Sequence, residues 1–252
     1  MKRSSKITLI IVGTVLLAVL VIVANVARTH MKVRGLEVEI DYQGLPHLVD
    51  EQTVADSVMD AIPDLLARQV KSVDSKRVGE AASRVPYLTH INATVSVSGR
   101  VVVRADQRKP VARLFYDNAE YFIDDEGVLL PMSRLGDCDV LVATGDFTEP
   151  LRLDSLNLQV TLLAQLAAYL DKHPDYLDII DQIHVERNGE LMLSPKLGDH
   201  VVELGDLTGL DDKFDRLINF YRRGMPRAGW NTYSKISLKF KGQVVCTKKN
   251  KQ

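Results

Sequence analysis

The sequence contains only two cysteines, Cys138 and Cys246, and neither stands in a C-x-x-C pair or at zinc-ligand spacing. That scarcity excludes a disulfide-dense scaffold and a cysteine-built metal module, while a single disulfide between the two stays open. No G-x-S-x-G, P-loop, dinucleotide-binding, H-E-x-x-H or EF-hand pattern occurs, so no short motif supports an enzyme. No catalytic residue, metal ligand set or cofactor is expected. Basic charge is not in excess either: the formal net charge is −1, and Lys2, Arg3 and Lys6 are confined to a short leading tail. Nucleic acid is therefore not an indicated partner. With 46% hydrophobic and 26% charged residues among 252, the composition excludes a disordered chain and a polytopic membrane protein, and the length suits two small domains.

One long apolar run is present. Residues 7–27, ITLIIVGTVLLAVLVIVANVA, carry no charge and as a helix would extend about 30 Å, the hydrocarbon thickness of a bilayer. A cleavable signal peptide has an apolar core of only ~7–15 residues, and no A-x-A site follows cleanly, so the run reads as an uncleaved transmembrane helix. Lys2, Arg3 and Lys6 before it nearly balance Arg28, Lys32 and Arg34 after it, which leans slightly toward a cytoplasmic N-terminus. Its polar groups are only Thr8, Thr14 and Asn25, which suits an anchor rather than an ion path.

Beyond the run, Leu36, Val38 and Ile40 alternate with acidic residues as in a half-buried strand. Asp50 caps a helix carrying Val54, Val58 and Ile62 until Pro63, and a second helix over 75–85 buries Val78, Ala82 and Val85. Alternation over 91–97 and 101–105 around Ser98-Gly99 predicts a hairpin, giving β-α-α-β-β across 36–107. A second module, 108–252, opens with strands over 111–116 and 120–124 and adds a short apolar run over 140–143. A helix over 154–171 carries Leu156, Val160, Leu163, Ala167 and Leu170 on one face. Strands over 180–187 and 190–194 flank Asn188-Gly189, and another lies over 201–204. The last helix sets Leu210, Phe214, Leu217, Ile218 and Tyr221 on one side, with aspartates at its start, Arg222 and Arg223 at its end and Gly224 as its stop. Ile236, Leu238 and Phe240 then alternate with polar residues, and Gly242 bends the chain into 243–248.

Candidates for chemistry are few. His184 and Glu186, two apart on a strand, share a face that would suit a metal, but no third ligand is identifiable nearby and a solvated face is preferred. Asp124, Asp125 and Glu126 precede Gly127, where turn formation explains them without acid/base chemistry. Asn92-Ala93-Thr94 fits a glycosylation acceptor only in a eukaryotic secretory route. The two apolar helix stripes read as core, and Lys248, Lys249 and Lys251 as protection of an exposed edge strand.

The order of parts resembles the bacterial cell-division family FtsQ/DivIB: short basic tail (1–6), span (7–27), juxtamembrane linker (28–35), β-α-α-β-β module (36–107) and strand-rich module with two helices (108–252). Val85-Pro86-Tyr87-Leu88 is similar to the helix-to-hairpin link of a POTRA domain. Gln107-Arg108-Lys109-Pro110-Val111-Ala112 is similar to the family's R-x-P-x-A junction, and Tyr121-Phe122-Ile123-Asp124-Asp125-Glu126-Gly127 to its aromatic, aspartate, glycine turn. The segment Lys235 to Val245 resembles the family's closing strands; where better-known members place a tryptophan late in that segment, Cys246, Thr247 and Lys248 stand here.

The resemblance implies an α+β fold: one transmembrane helix, a POTRA-like domain and a β domain. It further implies a non-enzymatic scaffold in the bacterial cytoplasmic membrane at the division septum, N-terminus cytoplasmic and later domains periplasmic, with lipid around 7–27. FtsB/FtsL-type proteins are the partners implied for the β domain, and proteins such as FtsK for the POTRA domain or the span. The partner-binding segment carried over is Ile236, Ser237, Leu238, Lys239, Phe240, Lys241, Gly242, Gln243, Val244, Val245, Cys246, Thr247 and Lys248, which would accept an incoming strand. Two other readings compete. A POTRA-bearing export or assembly factor would be expected to carry a β-barrel, for which no run of amphipathic ~10-residue strands exists. An anchored envelope enzyme would need groups that converge only in space.

Overall fold

The computed structural model describes residues 12–20, 31–153 and 155–249. The chain divides between Gln107 and Arg108 into two compact units. The fold class is α+β, and the single transmembrane helix predicted from the sequence is corrected here. No helix among the described residues is long and apolar enough to cross a membrane. Residues 12–20 are helical (α1), but at 1.5 Å per residue they cover only about half of a ~30 Å hydrocarbon layer. The remainder of 7–27, the tail 1–6 and residues 28–30 lie outside the described residues, so the expected lipid contact and single-pass topology have no described helix to rest on.

The first unit follows β1 (Gly35–Asp41), α2 (Glu51–Ala61), two short 3-10 turns, α3 (Ser75–Ala82), β2 (Leu88–Val95) and β3 (Arg100–Gln107). Local chemistry explains the helix limits. The Asp50 carboxylate accepts the Thr53 amide at 2.8 Å, and Asp74 accepts those of Lys76 and Arg77 at 3.0 and 3.3 Å, each satisfying donors that a first turn leaves free. Gly99, at φ +84°, makes the left-handed turn between β2 and β3. The sheet order is β1-β3-β2, with β1 parallel and β2 antiparallel to β3. Val54, Val58 and Val78 of the helices are buried with Val101, Val103 and Ala105 of β3 in one core. Gln107 is also buried, and its amide is bonded at both ends: its Oε1 accepts the Leu48 amide at 2.7 Å, and its Nε2 donates to the Pro46 carbonyl at 3.0 Å.

The second unit comprises β4 (Pro110–Tyr116), β5 (Ala119–Asp124), β6 (Leu129–Pro131), β7 (Leu141–Gly145), α4 (Leu158–Asp171), α5 (Pro174–Leu177), β8 (Ile180–Val185), β9 (Leu191–Pro195) and β10 (Val201–Gly205). It continues through α6 (Leu210–Arg223), α7 (Met225–Ala228), β11 (Tyr233–Ser237) and β12 (Val245–Lys248). The two predicted helices are thus joined by two one-turn helices, α5 and α7, and α4 starts later than its apolar stripe suggested. Asn157 is the reason: its side chain accepts the amides of Gln159 and Val160 at 2.9 and 3.2 Å, leaving Leu156 outside the helix and 68% exposed.

All nine strands form one sheet in the order β12-β11-β10-β9-β8-β7-β4-β5-β6. Three neighbours run parallel: β4 with β7, β7 with β8, and β10 with β11. Because side chains alternate along a strand, Leu114, Ile183, Leu193, Val202 and Ile236 share a face, and Leu163, Leu166 and Leu170 of α4 and Phe214 and Leu217 of α6 are buried against it. The two cysteines are both free thiols, so no disulfide joins them.

Candidate functional site

The partner-binding segment implied by the resemblance runs from Ile236 to Lys248, and the structure divides it into three parts. Ile236 and Ser237 end β11, an interior strand between β10 and β12, and both are buried. Leu238 is also buried and extends the parallel ladder, its amide donating to the Glu203 carbonyl at 2.9 Å. Lys239 to Val244 form the connection, and Val245, Cys246, Thr247 and Lys248 make β12, which pairs antiparallel with β11. Phe240, predicted on the same strand as Ile236, instead sits in the connection and is 55% exposed.

The connection departs from strand because an arginine organises it. Arg216 lies on α6 with its side chain mostly buried, and its Nε donates to Asp212 one turn earlier at 2.9 Å. Its Nη2 donates to the Leu238 carbonyl at 3.1 Å, and its Nη1 to the carbonyls of Phe240, at 3.2 Å, and Gln243. A guanidinium presents its donors in a fixed fork, so the backbone curls around it instead of running straight. The sequence carries no local mark of this role for Arg216. Its helical position is ordinary, and its three acceptors are backbone carbonyls more than 20 residues later, which leave no side-chain signature.

Among the described residues β12 pairs on one side only and forms the end of the sheet. The Lys249 amide donates to the Thr232 carbonyl at 3.0 Å, and the Thr247 carbonyl accepts the Ser234 hydroxyl at 3.3 Å, so backbone groups at 247 and 249 face β11. Strand alternation then turns those of Cys246 and Lys248 outward. Val245, Thr247 and Lys248 are exposed, while Cys246 is half-buried against the core, and that burial pushes its thiol pKa up. The neighbouring pair β10–β11 is reinforced by Lys235, which donates to Glu203 at 2.7 Å and holds its carboxyl below the ordinary range. Among the described residues the arrangement offers main-chain donors and acceptors along an edge that is paired only on its inner side.

Residues 109–247, more than half of the chain and nearly all of the second unit, match the model of the family described as FtsQ/DivIB, C-terminal related. The chain belongs to that family. FtsQ/DivIB membership makes cell-division scaffolding, through protein–protein contacts of the divisome, the role it suggests. No curated protein matches the chain. The matched range contains α6, β11 and most of β12, so the sheet end lies within the part that defines the family.

Proposed function

We propose that this chain is a non-enzymatic divisome scaffold that links early and late division proteins at the septum and takes an FtsB/FtsL-type partner as an added strand along β12. The observation that carries this is the position of β12 at the end of a nine-stranded sheet, with one neighbour among the described residues. Unpaired amides and carbonyls on such an edge supply affinity to any extended segment, and the outward side chains of Val245 and Thr247 choose among them. Exposed Phe240 stands in the adjoining connection, where it adds an apolar contact for the same partner. The first unit, whose β-α-α-β-β order suits a POTRA-type module, receives other division proteins such as FtsK.

Proline at position 246 tests the mechanism, because it removes an outward-facing donor without touching the β11 ladder. In binding measurements with a purified FtsB-like partner, Cys246→Pro in the full chain should weaken capture at least tenfold, and Phe240→Ala several-fold. Unchanged affinity in a folded variant rejects β12 as the docking strand. In cells, depletion should give filaments with blocked septa; normal septa with failed outer-membrane assembly would favour the export reading instead.

A further inference from the structure

The register of β7 and β8 brings together three side chains that are far apart in the chain. These strands run parallel with Thr144 opposite His184 and Gly145 opposite Val185, and the Asp146 amide extends the ladder by donating to the Val185 carbonyl at 2.9 Å. Val185 is buried on the helix-covered side, so the alternate positions, Thr144 and Asp146 on one strand and His184 and Glu186 on the other, share the opposite face. One ligand atom from each of Asp146, His184 and Glu186 lies within 4.8 Å of the others. We propose that these three residues form a binding site for a divalent transition ion of the zinc type.

Two features prepare the cluster. His184 Nδ1 lies 2.8 Å from the Thr144 hydroxyl, while its Nε2 faces the Asp146 carboxylate at 4.0 Å. With Nδ1–H donating to Thr144 Oγ1, the Nε2 lone pair is aimed at the carboxylates, the arrangement by which a metal-bound imidazole is oriented. Beneath the surface, buried Gln159 donates from Nε2 to the carbonyls of both Asp146 and Glu186, at 3.0 Å each. Its Oε1 accepts the Thr148 amide at 2.9 Å, which completes the clamp. The two carboxylate-bearing residues are therefore pinned through their backbones while their side chains remain free to close.

Zinc bonds of about 2.0–2.2 Å in a tetrahedron set ligand atoms about 3.3–3.5 Å apart, so the set contracts by roughly an ångström on binding. Asp146, with a side chain 61% exposed, can make that adjustment by rotation. One imidazole with two carboxylates favours zinc-type ions over magnesium or calcium, which prefer all-oxygen shells. Three protein ligands leave a fourth position for water.

Calorimetric titration of the full chain with Zn²⁺ alone tests the site, supported by Co²⁺ visible absorption. One Zn²⁺ site per chain is expected, with a rise in melting temperature on saturation. His184→Ala and Asp146→Asn should each weaken binding at least tenfold and abolish that rise, and Thr144→Val should weaken it about tenfold through loss of the orienting bond. Replacing Cys138 and Cys246 together by serine should leave binding unchanged. The proposal is overturned by absence of Zn²⁺ binding, by binding that survives both His184→Ala and Asp146→Asn, or by binding lost only with the thiols. Circular dichroism of each variant separates loss of the site from loss of the fold.

Discussion

The two ends of the nine-stranded sheet are built in opposite ways. At one end β6 is three residues long and stops at Pro131, and Leu129 and Leu130 are 4% and 0% exposed, so the chain's own atoms cover that border. Proline, short length and burial are all devices that deny an edge to a foreign strand. At the other end β12 is four residues long, pairs with β11 across a register shift between Tyr233 and Lys235, and exposes Val245, Thr247 and Lys248. Next to the covered end, the Arg113 guanidinium lies 5.5 Å from the Phe122 ring centroid and also bonds Asp137, anchoring the loop after β6. Packing thus closes the β6 border, while the β12 border keeps main-chain groups accessible among the described residues, as the proposed strand addition requires.

The contrast can be tested from both ends. The largest effect belongs to the covered end: Leu130→Ala should cost about 2–5 kcal/mol in urea unfolding, because it empties a fully buried site. Val245→Ala at the open end should cost about 0.5 kcal/mol or less. Equal costs would erase the distinction. Next in size, Arg216→Ala should cost about 1.5–3 kcal/mol in all, the worth of one charged hydrogen bond, because Phe240 and Gln243 are exposed and water can take up the carbonyls it frees there. Because it acts on the connection, amide exchange should accelerate over 238–248 while β4 to β6 keep their protection; uniform acceleration would show that Arg216 supports the whole unit instead.

The smallest effect concerns pH. Glu203 is held below its ordinary 4.5 by the hydrogen bond from Lys235. A carboxylate with a depressed folded pKa contributes stability that is fully present above the unfolded value and is lost as pH falls through the folded one. Acid titration should therefore show a loss near the open end beginning below about 4.5, and Glu203→Gln should flatten it. A Gln variant with the same acid profile would remove Lys235 and Glu203 from the account of why β11 stays in place beneath β12.

Legibility in the sequence followed sequence distance. Asp50 and its helix, the Ser98-Gly99 turn and the acidic-to-basic gradient of α6 all match their local signals, because each depends on residues a few positions apart. β6 and the one-turn helices α5 and α7 leave no such signal, being too short to express a period. Apolar alternation continues through Phe240 and predicts strand there, yet the Arg216 fork from another element overrides that pattern. Likewise, alternation places His184 and Glu186 on one face, but Asp146 joins them only through a parallel pairing of strands some 40 residues apart.

By itself the sequence determined many of the turns and caps, which faces are apolar and the order of the longer elements in each unit, since these depend on backbone preferences and side-chain periodicity over short spans. Tertiary structure alone decided that β12 rather than β11 borders the sheet, that β6 closes the far side, and that Asp146 meets His184. Parallel neighbours and sheet ends are settled by long-range packing between segments whose local patterns carry no mark of each other.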